Sequence, residues 1–144
     1  MFSKACEYGI KAMIYIATQS LQGNRVKMGD IVENAGSPEA FTAKILGALV
    51  KHNLVESLTG PYGGFQISEN RLQHVKLSEI VFAIDGDALY HGCGLGLSEC
   101  NHLKPCPMHD RFVNIRAQLK DMLETTTILD LANGLKSGKT VLQR

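Results

Sequence analysis

Three cysteines and a histidine share one short stretch of this chain: Cys93, six residues, Cys100, five residues, Cys106, then two residues and His109. Three thiolates and an imidazole are soft-to-borderline donors, a set that can close a tetrahedral zinc site or hold an iron-sulfur cluster with mixed ligation. Structural zinc usually grips cysteines only about two to four residues apart in a tight knuckle. No such pair occurs here. The wider, glycine-bearing spacing suits a larger inorganic core whose sulfides take hydrogen bonds from backbone N–H groups. The competing reading is a set of free thiols in a mobile loop. His91 and His102 lie close enough in sequence to serve as spare donors, whereas Cys6 is remote and reads as a small buried hydrophobe.

The elements that must position this loop follow from periodicity. Ile10, Met13, Ile14, Ala17 and Leu21 recur at helical spacing, and Gly23-Asn24 ends that run, predicting a long first helix over 3–21. Asp30 opens a brief helix carrying Ile31, Val32 and Ala35, which Gly36 ends; Ser37-Pro38-Glu39 restarts the chain as cap, proline and first-turn acid. Phe41, Ile45, Leu46, Leu49 and Val50 give that next helix its apolar face. Two helices meeting at a glycine corner have a helix-turn-helix layout. Leu54–Leu58 and Phe65–Ser68 read as short strands around the turn formers Thr59-Gly60-Pro61-Tyr62-Gly63-Gly64, a hairpin wing. A further helix covers Ser78–Ile84, an irregular loop runs from Gly86 to Pro107, and a last helix carries Phe112, Ile115, Leu119, Met122 and Leu123 before a short sequel over Thr127–Ala132.

The fold class predicted is therefore mainly α with a small β-hairpin. The expected layout is a winged helix-turn-helix domain over 1–70, a connecting helix over 71–85, the cysteine loop over 86–107, a dimerisation helix with its sequel over 108–133, and a tail over 134–144. A chain of 144 residues can bury a core without disulfides, and clustered cysteines favour ligation over stapling. No stretch approaches the ~18 apolar residues of a membrane span, and the first residues lack a basic-then-apolar signal layout, so a cytoplasmic protein is expected. Fifteen cationic residues against fourteen acidic ones leave a net charge of +1, and the balance within 1–70 is zero. Any DNA binding must then come from local patches presented twice by a dimer. The candidates on the corner are Ser37, Pro38, Thr42, Lys44 and Lys51, and those on the wing are Thr59, Gly60, Tyr62, Gly63 and Gly64.

Phe2-Ser3-Lys4 through Ala17, Asp30-Ile31-Val32, the wing Gly60-Pro61-Tyr62-Gly63-Gly64-Phe65 and the three-cysteine loop together resemble the Rrf-type regulators, the IscR/NsrR family of winged-helix transcription factors. The resemblance spans nearly the whole chain. It implies a homodimeric regulator, often a repressor, that binds double-stranded DNA. Its loop would bind an iron-sulfur cluster sensing iron-sulfur, redox or nitric oxide status. It further implies Cys93, Cys100, Cys106 and His109 as ligands, a 2Fe-2S cluster in preference to 4Fe-4S, not necessarily retained on purification, and Glu7 of a partner subunit as the alternative fourth ligand. IscR and NsrR have one residue fewer between the first two cysteines, and Thr59 stands where an arginine commonly precedes the wing glycine. Two other functions compete: a cluster-free winged-helix regulator responding to a partner protein or small molecule, and an iron-sulfur redox protein. The wing argues against the latter, because an electron carrier has no use for it, and no enzymatic activity is expected.

Overall fold

The computed structural model describes residues 1–143 and is mainly helical with one two-stranded antiparallel sheet, as the pattern predicts. α1 (Lys4–Leu21) begins at Ser3, whose Oγ accepts from the Cys6 amide at 3.0 Å and donates to Asp85 Oδ1 at 2.5 Å. One hydroxyl thus caps the first helix and pins it to an acid far along the chain. α2 (Met28–Ala35) ends at Gly36, whose φ of +66° is the left-handed C-cap that a β-carbon would disfavour, and α3 (Glu39–Lys51) follows at once.

β1 (Glu56–Leu58) pairs with β2 (Gly64–Gln66), Ser57 facing Phe65. Both strands are shorter than their apolar runs because Leu54, Val55 and Ile67 turn into the core. Val26 bridges Phe65 from the other side, with N–H to O distances of 2.9 and 2.7 Å, so the segment between α1 and α2 lines the wing.

Where one connecting helix was expected, α4 (Glu69–His74) and α5 (Leu77–Asp85) are separated by an extended step at Val75-Lys76. That step is used for pairing: the Leu77 amide donates to the Thr126 carbonyl and the Ile128 amide to the Val75 carbonyl, each at 2.9 Å. The glycine-rich loop contains a single helical turn, α6 (Ala88–His91), and leads to α7 (His109–Thr125) and α8 (Ile128–Lys136).

α1 is the axle of the core. Cys6, Ala12, Met13, Ile16 and Ala17 are buried on it, against Ile31 of α2, Leu46 and Leu49 of α3, and Ile80 and Val81 of α5. A helix apolar on most of its circumference must be covered from several sides. The last cover is α8, which packs Ile128 and Ala132 into the same cluster, so the core runs across residue 70 and the short sequel closes the N-terminal half. Each large side chain sealed there contributes about 1.5–3 kcal/mol. α7 contrasts with this, since Leu123 is its one buried residue. No described helix is long and apolar enough to cross a membrane.

Cys6 is fully buried, as expected, and burial, reinforced by Asp85, pushes its thiol up to about 12 from an ordinary 9.0. The folded state therefore keeps a proton that the unfolded chain releases as pH rises from about 9 towards 12, so this contribution to stability is complete below that window and lost through it. Denaturant midpoints of the wild type should fall more steeply than those of Cys6→Ala between about pH 9 and 11. Parallel profiles would show that Cys6 does not titrate in this way.

Candidate DNA-facing surface and cysteine loop

The corner places its polar residues differently from expectation. Ser37 and Thr42 are both buried; their hydroxyls bond to each other, and Thr42 Oγ1 also donates to the Pro38 carbonyl at 2.8 Å. Neither side chain is free to reach a base, a correction to the candidate set. Both act inside the corner, where paired hydroxyls satisfy each other in place of water. Ser37 is also not the cap, since Pro38 occupies the N-cap position. The exposed face of α3 is instead built from Pro38, Glu39, Ala40, Ala43, Lys44, Gly47 and Lys51. Small residues there let a helix approach a groove closely, and alanine methyls can contact thymine methyls.

The wing holds Thr59, Gly60 and Tyr62 in solvent, Tyr62 at 86 % exposure. Gly63 and Gly64 are structural. A β-carbon on Gly63 would fall 2.3 Å from the Leu58 carbonyl oxygen; one on Gly64, at φ +140°, would fall 2.7 Å from that of Val26. Two cations missed at the sequence level brace this hairpin. Arg25 donates from Nη1 to the Tyr62 carbonyl at 3.0 Å and from Nε to Gln66 Oε1 at 3.2 Å, and Lys27 Nζ reaches the Pro61 carbonyl at 3.5 Å. The alternation Arg25-Val26-Lys27 around a buried valine was the available signal, too short to register as a strand.

In the loop Cys93, Cys100 and Cys106 are half-buried and none is in a disulfide. Backbone N–H groups of Leu95, Leu97 and Gly96, with the Cys106 side chain, surround the Cys93 sulfur and hold its thiol below the usual range, the Leu95 bond contributing most. Cys100 Sγ lies 3.5 Å from His109 Nδ1 and accepts from Arg116 Nη2 at 3.1 Å. Of the four predicted donors, Cys100 and His109 are in direct contact. Among the described residues no three His, Cys, Asp or Glu side chains converge on a single metal-sized point. Glu7 is paired with Lys4 at 3.2 Å on its own helix. The donor chemistry still fits an iron-sulfur group: three sulfurs and an imidazole, one sulfur already lying in backbone N–H groups of the kind that stabilise thiolate and sulfide.

Comparison with known proteins identifies the family and the fold. The family model Rrf2, described as an iron-dependent transcriptional regulator, matches residues 2–134. A protein of Aquifex aeolicus described as an HTH-type transcriptional regulator is 30 % identical over 136 residues, 92 % of each chain. The HTH-type transcriptional regulator IscR of Pectobacterium atrosepticum is 26 % identical over 126 residues, 88 % of this chain and 75 % of that one. Among solved structures, CymR, the global cysteine regulator of B. subtilis, superimposes with a TM-score of 0.73 at 22 % identity, covering 92 % of this chain and 96 % of its own. IscR of T. potens gives 0.73 at 18 %, covering 98 % and 92 %. At those identities the structural likeness is one of fold.

Proposed function

The chain belongs to the Rrf2 family of transcriptional regulators, and from that premise we propose that it is a homodimeric DNA-binding repressor whose operator affinity is set by an iron-sulfur cluster in the 86–107 loop. Cys93, Cys100, Cys106 and His109 would hold the cluster, with the partner subunit's Glu7 as the alternative to the imidazole. When bound, a cluster of this kind, 2Fe-2S in preference to 4Fe-4S, supplies a redox-active, reagent-sensitive centre. The observation that carries the reading is Cys100 Sγ lying 3.5 Å from His109 Nδ1 in the loop that also holds the half-buried Cys93 and Cys106.

The chain's own residues do the rest. Lys44 and Lys51 offer charge to phosphates, while Pro38, Ala40 and Ala43 offer a low-relief surface to the major groove. Thr59, Gly60 and Tyr62 present the wing to the adjoining backbone. α7 leaves Ile115 and Met122, seven residues apart on one side, exposed, and burial of that side against a second copy gives the two-fold arrangement that paired half-sites require.

The test compares cluster-loaded protein, metal-free protein and Cys106→Ala, purified without oxygen, on a duplex the protein selects from a random library, at one salt concentration. Iron and sulfide should be present in the wild type and absent in Cys106→Ala. Operator affinity should differ by at least about fivefold between the loaded form and the other two. Equal affinities would defeat the switch even with iron bound. A cluster-free effector reading has its own observation: a cavity of about 320 Å³ lined by His52, Phe82, Tyr90 and Glu124, with a buried Tyr90 hydroxyl that has no hydrogen-bond partner among the described residues. It gains if the purified protein binds DNA but never iron.

A further inference from the structure

Arg116 lies on α7 two turns beyond His109 and is half-buried against the cysteine loop. Its Nη2 donates to Cys100 Sγ at 3.1 Å, and its Nη1 donates to the carbonyl oxygen of Gly92, the residue immediately before Cys93. One planar fork therefore ties the peptide that carries the first sulfur donor to the second sulfur itself. His109, Phe112 and Arg116 stand at i, i+3 and i+7, one face of the helix. All three are engaged with the loop. His109 meets Cys100, Arg116 meets Cys100 and Gly92, and the Phe112 ring lies so close under Gly94 that a β-carbon there would come within 2.4 Å of it.

The loop cannot hold itself in this way. Leu95, Leu97 and Leu103 are 52 %, 57 % and 80 % exposed, so it has no core of its own. Half-burying a guanidinium costs solvation that only well-formed acceptors offset, and here those acceptors are a cysteine sulfur and a loop carbonyl. Among the described residues no other arginine or lysine side chain donates to a cysteine sulfur.

We propose that Arg116 is a positioning residue: it clamps the Gly92–Cys93 peptide and Cys100 to α7 as part of the seat for the iron-sulfur group, and its N–H···S bond to Cys100 tunes that group's reduction potential. This rests on the reading of the loop as a cluster site. The direction follows from elementary electrostatics. A cationic donor on a ligand sulfur withdraws electron density and favours the more negative, reduced state, so Arg116 raises the potential. Clamping needs the fork and tuning needs mainly the charge, and lysine keeps only the second.

The experiment uses the full chain, purified without oxygen, as wild type, Arg116→Lys and Arg116→Met. It reads iron and sulfide per chain, iron release to a chelator, midpoint potential, and deuterium uptake by peptides spanning Gly92 to Gly94 in metal-free protein. Both variants should release iron at least about tenfold faster and take up deuterium faster at Gly92–Gly94. The potential should move negative in Arg116→Met and stay nearer the wild-type value in Arg116→Lys. Iron release, potential and uptake matching the wild type in both variants would overturn the role of Arg116 while leaving the cluster reading intact. A wild type that carries neither iron nor sulfide would overturn the cluster reading, and the role with it.

Discussion

Replacing Gly64 with valine will cost the protein at least about a hundredfold in affinity for duplex DNA, roughly 2.8 kcal/mol, while leaving its helices folded. Two independent obstacles act at this position. The backbone is at φ +140°, a region that costs a residue with a β-carbon about 1–3 kcal/mol, and that carbon would lie 2.7 Å from the Val26 carbonyl oxygen. The same oxygen accepts from the Phe65 amide at 2.7 Å, so the chain must open the bridge that seats the wing on the α1–α2 link. Arg25 and Lys27 then lose the carbonyls of Tyr62 and Pro61 that they hold. The clash reaches the core through the Val26 backbone and touches no helix, so the helical far-UV circular dichroism should be retained while fluorescence anisotropy on a labelled duplex reports the loss. A folded Gly64→Val protein with wild-type affinity would remove the wing from the DNA-binding surface.

The second large effect belongs to α7. Ile115→Glu should convert a dimer to a 15.7 kDa monomer and lower operator affinity by about two orders of magnitude, because a lone subunit holds one half-site only. Ile115 is 54 % exposed in the single chain, so the change removes no intramolecular core contact, and its cost falls on whatever covers that side. A charge at the centre of an apolar interface is opposed by several kcal/mol of desolvation. Sedimentation velocity gives the assembly state and thermal melting gives the fold. A variant that still sediments as a dimer at low micromolar concentration would place the interface elsewhere.

The positions of these features were unevenly legible in the sequence. Gly36 marked the corner and Gly60 to Gly64 marked the hairpin, because glycine's lack of a β-carbon is a local property that local geometry demands. The cysteines were legible for a similar reason, since donor chemistry travels with residue type. Thr42 was misplaced although its spacing held the answer. Residues 42, 45, 46 and 49 form the i, i+3, i+4, i+7 stripe that faces the core, whereas Thr42 was offered to DNA for its place near the start of the helix. Its partner Ser37 could not have been inferred from periodicity at all. The contacts of Arg116 and of α8 were beyond reach for another reason. One acts on a sulfur in a separate element, and the other packs on α1 from the far end of the chain; neither long-range contact leaves a trace in a window of ten or so residues.

The paired amides at Leu77 and Ile128 give α7 a mechanical character. They fasten the α7–α8 joint to the α4–α5 joint, and Leu123 is sealed in the core one turn away, so the helix is anchored at its C-terminal end and carries the cysteine loop at the other. Its 17 residues make an arm about 25 Å long. Turned by about 5° at that anchored pivot, the arm would swing His109 through about 2 Å and Arg116, nearer the pivot, through about 1 Å, the scale of helix shift that switching proteins use. Read in the other direction, a 2 Å change in how the loop seats on His109 reaches the pivot as a small rotation with large leverage, delivered beside α1, against which α3 is packed.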